Sequence, residues 1–243
     1  LRHVSSGQLP YTARSRGAGT IWSELSWVHP LGNLTRRWSG RERQSAPSCA
    51  PVPCRSTRSL GLMIHRRADF IAWLQRRTAE AAIGASALRN QGAPGVIAAA
   101  RISLAEIDLR AFGRASKAKF LALLDRSTSG VLASFPQGAE ESWGGARKAV
   151  NLFLRDAVYN KDLSDFYKLD RIRWWLEVPL DKHVAAGLLG ETEGRGLPKW
   201  GQIKRLTPER SREFQAAAAF VAARKRLARV DLDVYYWRPR DEA

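Results

Sequence analysis

The sequence predicts an all-α, compact multi-helix domain, and three observations carry that prediction. Apolar residues recur at three- and four-residue spacing over much of residues 63–243. Helix-start chemistry recurs too, most clearly at Thr207-Pro208-Glu209, where Thr suits the N-cap and Pro the first helical position. Long period-two alternation and internal repeats are both missing.

Residues 1–62 stand apart. They mix Ser, Gly, Arg, Pro and scattered Trp without periodicity, so little packed structure is expected there. The only methionine, Met63, immediately precedes the first clean helical pattern. The segment therefore reads as upstream or mis-set translated sequence with Met63 as the native start. The alternative is a basic disordered arm that binds DNA non-specifically.

From Arg67 the pattern is helical through Phe70, Ile71, Trp73, Leu74, Ala81 and Ala82. Gln91–Gly95 breaks it, and Val96–Arg101 resumes as a helix. Ser103 and Asp108 are candidate caps. Ser116 is the expected N-cap of a helix carrying Phe120, Leu121, Leu123 and Leu124. Ser127–Gly130 is expected to end that helix, with a further turn at Val131–Phe135. A helix from Ala146 carries Ala149, Val150, Phe153 and Ala157 on one face, with Lys148, Asn151 and Arg155 on another. The stretch 159–175 interleaves Tyr159, Phe166, Tyr167, Trp174 and Trp175 with lysines and arginines. It is expected to pack beneath itself, the alternative being stacking on unpaired bases. Asp181 is placed to cap a short helix from Val184 to Leu189. Gly187–Gly196 reads as a flexible loop, Trp200–Leu206 as a basic connection, and Thr207 as the start of a helix ending near Ala228. Asp231–Trp237 has strand propensity, but in a helical chain it reads as a final buried helix or turn.

Composition narrows the function. Forty basic against 23 acidic residues give a formal charge of +17 on 243 residues, which favours a polyanionic partner. Cys49 and Cys54, five positions apart, offer neither a disulfide framework nor a zinc spacing, and no metal site is expected. No apolar run reaches spanning length and no signal-peptide core opens the chain, so no membrane partner and a cytoplasmic, nucleoid-associated location are expected.

The most informative stretch runs from Trp143 to Val184. The pair Gly144-Gly145 suits a turn feeding a helix N-terminus, whose free amides bind phosphate. Gly144-Gly145-Ala146-Arg147-Lys148-Ala149-Val150-Asn151-Leu152 and Val178-Pro179-Leu180-Asp181-Lys182-His183-Val184 resemble two blocks of the helix-hairpin-helix DNA glycosylases, the superfamily of endonuclease III and the 8-oxoguanine DNA glycosylases. The resemblance covers two short blocks in the right order. It departs from the family at Ser142-Trp143-Gly144-Gly145-Ala146, which replaces a Leu-Pro-Gly-Val-Gly type of hairpin. The interval of 33 positions from Lys148 to Asp181 is also longer than usual, the excess being the 159–175 segment, read as an insertion. The four-cysteine iron–sulfur loop is missing, and no cofactor is expected.

The resemblance implies a two-lobed helical fold over 63–243 and a DNA N-glycosylase with associated AP-lyase activity in base excision repair. It places Lys148 at the family's nucleophile and Asp181 at its catalytic aspartate. The implied partner is double-stranded DNA containing a damaged base, with an 8-oxoguanine-like purine as the guess, and a monomer is expected. Gly144, Gly145 and the Ala146 amide are candidates for backbone phosphate contact, as are the side chains of Arg147 and Arg155. Asn151 is a further DNA-contact candidate, although it more simply satisfies backbone or the hairpin, and His183 either faces DNA or serves as a core or capping residue. The runner-up is a catalytically inactive helix-hairpin-helix DNA-binding protein, and a third reading is a helical interaction module without nucleic acid.

Overall fold

The computed structural model describes residues 57–237 apart from Arg195, with side chains from Arg66 onward, and the expectations for residues 1–56 lie outside it. All regular structure among the described residues is helical: α1 (Thr57–Ala82), α2 (Val96–Ala105), α3 (Leu109–Arg114), α4 (Lys117–Ala133), α5 (Trp143–Tyr159), α6 (Lys161–Tyr167), α7 (Lys182–Glu191), α8 (Pro208–Lys225) and α9 (Leu232–Tyr236), with three short 3-10 turns. Helix α1 begins six residues before Met63, so part of the segment expected to lack structure is helical. Extending a helix already nucleated costs little, which is why its start carries no sharp sequence mark.

Local chemistry explains most boundaries. Gly92 and Gly95 take φ of 114° and 84°, breaking the chain between α1 and α2. Asp108 caps α3 by accepting from Ala111 N at 3.0 Å, whereas Ser103 lies inside α2 and caps nothing. Ser116 caps α4 and Thr207 caps α8, each through its hydroxyl. Helix α4 runs straight through Ser127–Gly130 to Ala133, absorbing the separate turn expected at Val131. Thr128 sits there with its hydroxyl on the Leu124 carbonyl, while Val131 turns into the core. Phe70 and Trp73, part of the helical pattern, stack on each other on the outside of α1, because Ile71, Ala79 and Ala82 form the buried stripe.

Two apolar cores result. The larger joins α1 to α6, the 3-10 turn Leu169–Trp175, Ala228 and Val230 around the almost wholly buried α5. The 159–175 segment belongs to it: Leu163, Leu169 and Ile172 are fully buried and Trp175 packs on Phe120 at 6.0 Å. The smaller core gathers Val178, Leu180, Val184, Leu188, Phe214, Val221 and Leu232 from α7, α8, α9 and the approach to α7. Gly187 lies within α7 rather than in a loop, and a Cβ there would sit 2.4 Å from the Tyr236 ring. The missing side chain is what lets α9 close on α7. Helix α9 is helical as expected, but only its Leu232 and Asp233 are buried, while Val234 and the capping Trp237 stay exposed.

Candidate active site

Two devices on α5 and on the segment after it fix the central pair. The stretch Leu176–Leu180 is buried but not helical, so its polar backbone needs partners. Gln215 of α8 supplies them at Val178, accepting its N–H at 3.1 Å and donating to its carbonyl at 2.8 Å. Four residues before Asp181, Glu177 accepts from Arg147 Nε and Nη2 at 2.8 and 3.0 Å and from Asn151 at 3.2 Å. The bidentate pair ties α5 to the Asp181 segment.

Asp181 then uses its two oxygens differently. Oδ1 accepts from the His183 and Val184 amides at 2.8 and 3.0 Å, the N-cap expected from sequence. Oδ2 accepts from Lys148 Nζ at 3.1 Å, and both side chains are nearly buried, 10% and 13% exposed. The cap fixes the carboxylate, and the carboxylate fixes the amine.

The pair opens on a cleft of about 860 Å³, within the ~300–1,000 Å³ typical of small-ligand sites. Leu152 and Arg155 continue the α5 wall beyond Lys148, and Gln91, Trp200, Lys204, His183, Asp233 and Trp237 line the rest. The His183 and Trp237 rings lie 4.7 Å apart. Asp233 is paired with Arg155, which also holds Asp156 at 2.8 Å. Burial, reinforced by the charge of Asp181, pushes the Asp233 carboxyl up to about 6 against the opposing pull of Arg155 and Lys148. Asp233, Trp237, Trp200, Gln91 and Leu152 were not singled out from sequence. The only local hint is the i,i+4 spacing of Asp233 and Trp237, which puts Trp237, the residue capping the end of α9, one turn beyond Asp233 on the same side.

Several expected phosphate contacts turn inward. Gly144 and Gly145 form no positive-φ turn; they are the first turn of α5 itself. A Cβ on Gly144 would sit 2.1 Å from the Ile203 carbonyl oxygen, and one on Gly145 2.6 Å from Gln91 and Ser142, so both serve packing within the chain. The Ala146 amide is taken by the Ser142 carbonyl at 3.1 Å. Arg147 is buried; besides Glu177 it holds Asp125 at 2.8 Å and Thr128 at 3.0 Å and lies over the Trp143 ring. Burial would weaken the guanidinium's charge, but Glu177 and Asp125 more than offset this and hold its pKa above the ordinary value. Burial likewise opposes ionisation of Glu177, yet Arg147 and Asn151 keep its carboxyl below the usual range. Asn151 is buried with Glu177, its own carbonyl oxygen unpartnered. Arg155 and His183 do face the cleft, although Arg155 arrives already paired. Tyr159–Trp175 contributes nothing to the cleft lining.

Among the described residues no group of three or more His, Cys, Asp or Glu is placed to hold a metal ion, and no described helix is long and apolar enough to cross a membrane. Comparison of the chain with protein-family models, with curated proteins and with solved structures returned no match.

Proposed function

We propose that the protein is a DNA N-glycosylase with AP-lyase activity, of the helix-hairpin-helix type, acting on a base flipped out of duplex DNA. The observation that carries the reading is the Lys148–Asp181 pair, 3.1 Å apart and nearly dry at the head of a nucleoside-sized cleft. Breaking the base–sugar bond develops positive charge at C1′, which a fixed carboxylate stabilises. Asp181 is that carboxylate and the proton acceptor within reach of Lys148 Nζ.

The neutral amine attacks C1′; the C1′–N bond breaks, and the base leaves with the electron pair and takes up a proton. Opening of the C1′–O4′ bond then gives a Schiff base, and loss of a C2′ proton expels the 3′ phosphate. The rings of Trp237 and His183 offer faces for an unstacked base, which such an enzyme must extract from the helix. An oxidised purine such as 8-oxoguanine is the proposed substrate, on the family resemblance.

Borohydride trapping on duplexes carrying 8-oxoguanine, a pyrimidine lesion or an abasic site tests the reading. A covalent adduct is expected that Lys148→Ala abolishes. An adduct surviving Lys148→Ala would reassign the amine. Salt-sensitive DNA binding with neither adduct nor base release would leave the inactive binding protein.

A further inference from the structure

The cations expected from sequence to hold DNA, Arg147 and Arg155, are consumed by internal acids, so the basic charge must meet a polyanion elsewhere. A second recess of about 270 Å³ opens beside the cleft and shares Trp200, Gly201 and Gln202 with it. Lys199, Arg205 and Arg210 converge on it, and every charged side chain in its lining is cationic. None of the three has an acidic partner among the described residues. The acid nearest Arg205 and Arg210 in sequence, Glu209, is held by Arg212 at 2.9 Å.

The recess is structurally anchored. Trp200 packs edge-on against Phe214 at 5.1 Å. The 3-10 turn Ile203–Arg205 rests on Gly144, one turn of α5 from Lys148. On its far side stands the first turn of the 18-residue α8, the positive end of that helix. Three unpaired cations crowded into one concavity repel one another, and an anion entering it relieves that repulsion.

We infer that this recess is a phosphate subsite: it grips the DNA backbone next to the nucleotide whose base enters the cleft. The inference rests on the reading of the cleft as a DNA lesion site. It moves the backbone grip from the α5 glycines, which are packed shut, to the strap between α7 and α8. Lys204, on the same strap, lines the cleft and not the recess.

The test is fluorescence anisotropy of the full chain on a duplex carrying a tetrahydrofuran abasic-site analogue, from 50 to 200 mM salt. The variant Lys199→Ala/Arg205→Ala/Arg210→Ala is compared with the charge-matched Arg77→Ala/Lys161→Ala/Arg224→Ala, which touches neither opening. Each lost phosphate contact removes about 0.9 from the slope of log K against log salt. The recess variant is therefore expected to bind more weakly, with a slope shallower by about two to three. The control is expected to keep the wild-type slope. A wild-type protein that binds steeply and traps on borohydride, with an unchanged slope in the recess variant, overturns the subsite alone. Equal losses in both variants reduce the effect to net charge and also overturn it. Absent or salt-insensitive binding by the wild type removes the DNA reading and the subsite together.

Discussion

Glu177→Gln is the most searching perturbation of the scaffold beneath the site. The carboxylate faces Arg147 through two hydrogen bonds, with the two side chains only 8% and 10% exposed. Gln keeps the shape and one acceptor oxygen but removes the charge. The remaining acid on Arg147, Asp125, is 71% exposed, and an ion pair that open to water contributes about 0–1 kcal/mol. Leaving a buried charge without its partner costs about 3–5 kcal/mol, and the retained oxygen puts Glu177→Gln near 3 kcal/mol. Against a total stability of roughly 5–15 kcal/mol that is a large fraction.

Urea unfolding reads it as a lower midpoint with unchanged slope. Because the cost lies in the orphaned guanidinium, Arg147→Met/Glu177→Gln is expected to be more stable than Glu177→Gln alone. A loss below about 1 kcal/mol in the single variant, or a double variant destabilised by the sum of its parts, would refute the reasoning. The pH dependence has a definite sign. The folded carboxyl of Glu177 lies below its ordinary 4.5, so its stabilisation is present above that value and is lost as acid carries the pH through the folded pKa. The gap between wild type and Glu177→Gln should close in acid.

Asp233 carries the opposite sign. Its folded carboxyl is raised from 3.8 to about 6, so the contribution it makes is present below pH 4 and fades as pH rises through 6. The thermal midpoint of wild type minus that of Asp233→Asn should fall over that window; a flat difference would mean that Asp233 does not titrate there. Gly144→Ala puts a methyl 2.1 Å from the Ile203 carbonyl and 2.6 Å from Leu206 Cβ. Overpacking of about 1–3 kcal/mol outweighs a helix-propensity gain of up to about 1 kcal/mol, so a net loss is expected in urea unfolding. A neutral or stabilised variant would show that α5 and the strap are not in such close contact.

What the sequence determined is local. Ser116, Asp108, Asp181 and Thr207 announce their helices because an N-cap needs only its own next three residues. The three- and four-residue apolar spacing likewise marks the buried Phe120 and Leu124 of α4 and Ala149, Val150, Phe153 and Ala157 of α5. Leu121 nevertheless stays exposed, and the face of α5 carrying Lys148 and Asn151 is buried as well. Lys148 and Asp181 were legible as a pair because each sits in a short recognisable block, and the structure brings them into contact across 33 positions.

Direction was not legible. Nothing around Arg147 tells that it points at Glu177 rather than at solvent, since that partner is 30 positions away and is set by how α5 lies against Leu176–Leu180. The glycines at 144 and 145 read as a turn for the same reason: an absent side chain is identical in sequence whether a phosphate or the Ile203 carbonyl fills the space. Asp233 and Trp237 reach the cleft only because Gly187 lets α9 close on α7, the Tyr236 ring resting where a side chain would stand on a residue about fifty positions earlier. The chain states where helices start and which residues carry charge. Only packing decides which of those charges are spent holding the protein together and which are left facing the cleft and its rim.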